Sequence, residues 1–127
     1  MHTFKKEERL CNKRLIDGLF HKGSSFLCYP FRASWLAADA AQVFPVQILF
    51  SVAKKRYKRA VERNLIKRRM RDAYRLNKQS LLYSSILAAD KKIILSVGYI
   101  GKEIADFEMM EKKMRKLLIQ LEGQVLK

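Results

Sequence analysis

Between Leu10 and Phe20 the apolar residues Leu10, Leu15, Ile16, Leu19 and Phe20 recur at helical spacing, and Gly23 follows as a stop. The spacing predicts a first helix over Lys13–Lys22. The period then drops to two. In "FLCYPFRASWLA", Phe31, Ala33 and Trp35 alternate against Arg32 and Ser34, which predicts a strand with Pro30 at an edge or bulge near its start. "AADAAQ" predicts a turn or short connection. "FPVQILFSVA" predicts a second extended run, with Val46, Ile48, Phe50 and Val52 on one face. Ala60 to about Asn77 has helix-forming composition, and "KQSLLYSSILAADK" predicts a loop or frayed helix. A third strand is expected over Ile93–Tyr99, broken by Gly101. From Asp106 to Leu121, the residues Phe107, Met110, Met114, Leu117, Leu118 and Leu121 mark an amphipathic helix ended by Gly123. Asp106 is its expected N-cap, and Glu108 and Glu111 lie near the positive end of its dipole.

Helices and strands in this order make the chain α/β or α+β. Its 127 residues fit one domain, 1–127, within the usual size of about 100–150. There are no repeats, low-complexity tracts or interdomain linkers. Cys11 and Cys28 form no CxxC pair, and His2 and His21 are too few to complete a zinc site with them. "MHTFKKEERL" has no apolar core of a signal peptide, and no apolar run approaches the ~20 residues that span a bilayer. The expectation is a cytoplasmic protein with no membrane partner and no stable protein partner.

Charge changes this picture. The chain carries +15, and the segment from Lys54 to Lys78 holds twelve Lys or Arg against two acids, Glu62 and Asp72. An excess of that size suits a polyanionic partner, nucleic acid before an anionic membrane. On a helical wheel Arg63, Lys67, Arg71 and Arg75 follow i, i+4 spacing, with Asn64, Arg68 and Lys78 beside them. Val61, Leu65, Ile66, Met70, Ala73 and Leu76 are assigned to the packed side. Like charges at i, i+4 cost an isolated helix about 0.2–0.5 kcal/mol per pair, so an external anion explains the stripe better than solvation does. Arg favours forked phosphate contacts, and the Asn64 amide can both donate and accept. Arg69 projects toward the packed side and is expected to pair with Asp72. Lys54, Lys55, Arg56, Lys58 and Arg59 place flexible cations beside the helix N-terminus.

"SVAKKRYKRAVERNLIKRRMRDAYR" resembles the signature of the bacterial ribonuclease P protein subunit. Ser51, Val52, Lys54 and Lys55 match its strand end; Ala60, Val61, Arg63, Asn64, Lys67, Arg68, Arg71, Asp72, Tyr74 and Arg75 match its helix. "RLCNKRLIDGLFHKGSSF" is similar to the family's first helix. The resemblance implies an α+β domain (an α/β sandwich) in α-β-β-β-α-β-α order, its central sheet packed by helices, with a left-handed βαβ crossover. The strand missing from the periodicity would lie around Ser24–Cys28 or in "AADAAQ".

The resemblance also implies a role as protein subunit of an endoribonuclease that removes the 5′ leader of precursor tRNA. A catalytic RNA subunit would hold the active site and its Mg²⁺. Lys54, Lys55, Arg59, Arg63, Asn64, Lys67, Arg68, Arg71 and Arg75 would then bind the RNA subunit. Ile16, Phe20, Phe31 and Trp35 would belong to a leader-binding cleft, with bases stacking on rings while cations follow the backbone. Ile16 stands where many relatives carry an aromatic, which implies reduced or shifted stacking. Arg69 stands where an apolar residue is common. The last strand runs into "VGYIGK", where relatives often carry a basic residue, so no RNA contact is assigned there.

No catalytic constellation accompanies the cations. A self-sufficient nuclease needs paired histidines, a metal-binding carboxylate cluster or acid–base groups in a pocket. The twelve carboxylates are scattered. The alternative reading is a structural RNA-binding protein of ribosomal or ribosome-assembly type, which needs the cations but not the cleft. A membrane-surface helix is a third reading, disfavoured because the face opposite the charges is shared with the core.

Overall fold

The first helix, α1 (Lys13–Lys22), starts where Asn12 turns its side-chain oxygen onto the Arg14 and Leu15 amides, at 2.9 and 3.2 Å. It stops at Gly23, where an added Cβ would lie 2.4 Å from the Leu19 carbonyl oxygen and 2.9 Å from that of Trp35. Only glycine lets the chain leave α1 so close to the sheet. The structure is a computed structural model describing residues 4–38, 42 and 44–127. Half of the expected "AADAAQ" connection, residues 39–41, lies outside the described residues.

The extended run expected as one strand is a hairpin. β1 (Ser24–Cys28) and β2 (Phe31–Ala37) pair antiparallel around a tight turn at Tyr29–Pro30. Proline belongs in that turn because it has no N–H to donate to a ladder. β1 therefore fills one of the two places where a further strand was expected. β3 (Val46–Val52) and β4 (Ile93–Tyr99) complete a sheet ordered β1-β2-β4-β3. β2 pairs antiparallel with β4, and β3 pairs parallel with β4. That parallel pair requires a crossover, and α2 (Ala60–Lys78) makes it.

α2 then widens into a π-helical turn over Gln79–Tyr83 and ends in a short helix, α3 (Ser84–Ala88), where a loop or frayed helix was expected. α4 (Phe107–Val125) begins at Asp106, whose side chain accepts from the Met109 amide at 2.9 Å. It runs through Gly123 rather than ending there. Gly123 faces open space, while the next two residues are anchored: Gln124 by the Trp35 indole and Val125 by burial.

The sheet has unlike faces. On one, Phe31, Ala33, Ile48, Leu95 and Val97 pack with Ile66, Met70, Ala73 and Tyr74 of α2 and with Met110, Met114, Leu117, Leu118 and Leu121 of α4. On the other, α1 covers one end through Leu19 and Ile16, against Leu10, Ile94, Leu36 and Leu49. β4 is central and almost wholly buried. The N-terminal segment covers the outer edge of β3, with an Arg9–Ile48 bridge and a Leu10 N–H to Ile48 carbonyl bond of 2.9 Å. Covering an edge removes a site for strand-to-strand aggregation.

A buried ionic network locks that segment. Glu8, 1% exposed, pairs with the Lys78 ammonium at the end of α2, and accepts from the Tyr83 hydroxyl at 2.5 Å and the Lys5 amide at 2.7 Å. The ammonium also lies over the rings of Phe4, Tyr74 and Tyr83. Lys78, expected beside the cationic stripe, is a core residue. Burial pushes the Glu8 carboxyl upward, but its hydrogen bonds and the Lys78 charge outweigh this and hold it below the usual range. Burial pushes the Tyr83 hydroxyl up, so it stays protonated and donates.

A depressed carboxyl stabilises the fold at pH above its unfolded value, and the contribution is lost as pH falls through the lower folded value. Glu8→Gln leaves Lys78 buried without its counter-charge and is expected to cost about 3–5 kcal/mol. Urea melts at neutral pH measure that loss. Repeated between pH 6 and 3, they are expected to show a shallower acid decline for the variant than for the parent chain.

Candidate functional site

α2 is held by its inner face. Ile66, Met70, Ala73, Tyr74 and Asn77 are buried, and their spacing fixes the helix in phase. Asn64 and Arg68 consequently face outward, with Arg71 and Arg75 half-buried on the following turns. Lys67 and Arg71 flank a recess of about 200 Å³ beside Arg9 and Phe50. Val61, assigned to the packed side, is 78% exposed. It precedes Met70 by nine residues, which at about 100° per residue is half a turn out of phase. Asp72 pairs with Arg75 at 3.6 Å, so one carboxylate does touch the stripe. Arg69 does not pair with it: its guanidinium donates to the Ala105 carbonyl at 2.7 Å, tying α2 to the segment before α4. Its expected removal from the stripe holds, with a different partner.

Arg63 also departs from expectation. Its guanidinium folds back and donates to the Tyr57 and Lys58 carbonyls, both at 2.8 Å. Tyr57, buried itself, donates its hydroxyl to the Gly101 carbonyl at 2.7 Å. The Arg56 and Tyr57 amides close a turn on the Ala53 carbonyl. The connection expected to be flexible is thus a fixed loop that exposes Lys54, Lys55, Arg56, Lys58 and Arg59. The outward surface consists of these cations together with Asn64, Lys67, Arg68, Arg71 and Arg75.

The second feature is a groove of about 450 Å³ on the sheet face that α1 leaves uncovered. Strand register builds it. Arg32 lies opposite Gly98, which lies opposite Ser51; Ser25 lies opposite Ser34, which lies opposite Ser96. Paired residues share a face, so these six line the floor. The Ser25 and Ser34 hydroxyls are 2.9 Å apart. A Cβ on Gly98 would stand 3.2 Å from the Ser51 hydroxyl, so glycine keeps the floor low. Phe20, 60% exposed, stands at the mouth. The lining holds no carboxylate.

Three of the four expected cleft residues are elsewhere. Phe31 is fully buried on the opposite face, with its ring centroid 6.0 Å from that of Tyr99. Trp35 shares that face, and its indole N–H donates to Gln124 of α4 at 2.8 Å. Strand alternation forbids either side chain from reaching the α1 side. Ile16 packs in the small core under α1 rather than along the groove. Of the expected set Phe20 alone lines it. The residues missed were Arg32, the four serines and Gly98. Their signal was present as the polar half of the β2 alternation and as Ser96 and Gly98 two apart in an apolar strand.

The groove and the cationic surface are continuous. Ser51, Val52 and Ala53 line the groove and lead directly into Lys54 and the fixed loop. Among the described residues no three His, Cys, Asp or Glu side chains converge. Among the described residues no helix is long and apolar enough to cross a membrane.

Tyr57→Phe removes the bond to Gly101 but no charge. It is expected to cost about 1 kcal/mol, the usual net worth of such a bond. Trypsin cutting within Lys54–Arg59, followed by mass spectrometry, is expected to quicken severalfold.

A sequence model of the family described as Ribonuclease P matches residues 4–122. The chain is 38% identical over 122 residues to the ribonuclease P protein component of Porphyromonas gingivalis W83, covering 94% of this chain and 87% of that one. It is 35% identical over 118 residues to the Chlorobaculum tepidum protein of the same name, covering 86% and 76%. The ribonuclease P protein from Thermotoga maritima superposes with a TM-score of 0.70 at 23% identity, covering 88% and 96%. The Staphylococcus aureus protein does so at 0.66 and 19%, covering 90% and 94%, which shows the same fold.

Proposed function

The chain belongs to the ribonuclease P protein family, and on that premise we propose how its two surfaces serve the enzyme whose protein subunit it is. The observation that carries the proposal is continuity: an outward cationic surface runs without a break into a polar, carboxylate-free groove with an aromatic mouth. Lys54, Lys55, Arg59, Asn64, Lys67, Arg68, Arg71 and Arg75 bind the RNA subunit. Arginine forks engage phosphate oxygens in pairs, and each neutralised phosphate releases counterions into solution. Arg63 acts indirectly, by holding the loop.

The groove takes the single-stranded 5′ leader of precursor tRNA. Phe20 offers a stacking surface, Arg32 a phosphate contact, and the four serines neutral hydrogen bonds along the floor. A stacked base contributes about 1–3 kcal/mol, and serine hydroxyls accept any sequence because each can donate or accept. Gly98 leaves the height that a strand needs to lie flat.

Hydrolysis is assigned to the RNA. Neither surface contains a histidine or a free carboxylate able to move a proton from water, and among the described residues no three metal-ligating side chains converge. In this proposal Mg²⁺ stays with the RNA subunit, and the protein lowers the repulsion between two polyanions so that they meet. The work is cytoplasmic.

Reconstitution tests the whole. Adding the chain to its RNA subunit at low Mg²⁺ is expected to raise the rate of leader removal from precursor tRNA, while the chain alone cleaves nothing. Unaided cleavage, or no effect on the RNA, sinks the proposal. Arg68→Ala tests the surface separately. It is expected to weaken RNA-subunit binding and to flatten the plot of log K against log salt by about 0.7–0.9, one phosphate's share. An unchanged slope counts against a phosphate contact at Arg68.

A further inference from the structure

Trp35 raises a question that the RNA surfaces leave unanswered. A cavity of about 510 Å³ lies not at the groove but on the opposite sheet face, where β2 and β4 meet the end of α4. Trp35 lines it, with Ala37 and Ala38 from the end of β2, Lys91 and Lys92 from the turn before β4, and Lys127. The sheet separates it from the groove: Trp35 lines the cavity and its neighbour Ser34 lines the groove, on opposite faces of β2.

The lining has a definite chemistry. The indole is half-buried, and its N–H is committed to Gln124 at 2.8 Å, which fixes the ring against rotation. Lys91 is pinned by a 2.8 Å bond to the Val125 carbonyl, and Lys92 by a bond to the Gln42 carbonyl. An ammonium carries three hydrogens, so a single carbonyl leaves Lys91 with donors for a ligand. Among the described residues of the lining, three lysines face one carboxylate, Asp90, giving the rim an excess of positive charge.

A fixed ring beside ammonium groups suits a ligand that is flat and aromatic at one end and anionic at the other. A purely apolar ligand would leave the lysines unused. A basic peptide, or a second copy of a chain carrying +15, would be repelled. A ribonucleotide satisfies both halves: its base can stack on the indole and its phosphate can meet the ammonium groups. We propose that this cavity is a second nucleotide site, in which one base of single-stranded RNA stacks on Trp35 while its phosphate is held by Lys91 and Lys127. It needs neither the α2 surface nor the groove, so it stands independently of the ribonuclease P reading.

Trp35 is the chain's one tryptophan, so its fluorescence reports the site directly. The full-length chain is titrated at low salt with AMP, UMP, octauridylate and inorganic phosphate. The same is done for K91Q/K127Q, for the rim variant Ala37→Glu and for R68Q/R71Q. Saturable quenching by octauridylate is expected, weakened at least fivefold in K91Q/K127Q and in Ala37→Glu and retained in R68Q/R71Q. Matching quenching by AMP or UMP identifies a free nucleotide as sufficient; quenching by octauridylate alone identifies an RNA strand. Either supports the site. Absence of quenching overturns it, as does equal affinity for inorganic phosphate and AMP. It is also overturned if quenching is lost in R68Q/R71Q, because the indole would then be reporting a distant event. Should K91Q/K127Q fail to fold, Ala37→Glu decides, since Ala37 is exposed at the rim.

Discussion

The rest of the structure depends on the burial of the inner face of α2. That helix carries seven Lys or Arg against two acids, Glu62 and Asp72, and its outer turns set like charges three and four residues apart, each pair costing about 0.2–0.5 kcal/mol. Such a helix is a poor candidate to fold alone. Its inner face buries Ile66, Met70 and Tyr74 completely against the sheet and α4. A fully buried side chain of that size contributes about 1.5–3 kcal/mol, so one or two of them outweigh the repulsion. The same burial sets the phase of the helix. Asn64 and Arg68 point outward because Met70 and Ala73 point inward.

Charge is sorted accordingly. Cations near the packed side are held by internal partners: Lys78 by the Glu8 carboxylate, Arg69 by the Ala105 carbonyl, Arg63 by the Tyr57 and Lys58 carbonyls. Each ties α2 to a different segment, namely the N-terminal strap, the approach to α4 and the basic loop. A buried ion pair rarely adds much over a well-packed apolar one. What Glu8 and Lys78 achieve is placement, since they pin the strap along the β3 edge, which no other strand covers.

Periodicity made much of this legible. The 3.6-residue pattern marked α1 to its observed ends, and the apolar run of β4 matched Ile93–Tyr99. It missed the β1–β2 hairpin because aromatics run through Tyr29–Pro30 and hide a turn that has no glycine. It ended α4 too early because Gly123 stops a helix only when nothing beyond it is held. The cationic surface was legible from the order of Arg, Asn and Lys, but the fate of Arg63 and Lys78 was not. Both have long side chains that can reach solvent or fold back, and only packing across distant segments, as between Glu8 and Lys78, decides which.

The groove lies on a sheet face that the aromatic residues of β2 do not reach. Rings stack on bases, which draws attention to the aromatic residues of β2, yet the alternation that places Phe31 and Trp35 on one face necessarily places Arg32 and Ser34 on the other. Since α2 and α4 must cover the apolar face, the exposed face can only be the polar one. Ser25, Ser51, Ser96 and Gly98 join it through register, from three other strands far apart in sequence. A groove floor made this way needs no conspicuous residue. It requires small polar side chains wherever the opposite face requires large apolar ones. One register therefore builds the core and clears the groove, and a slip of a single residue in β2 would exchange the two.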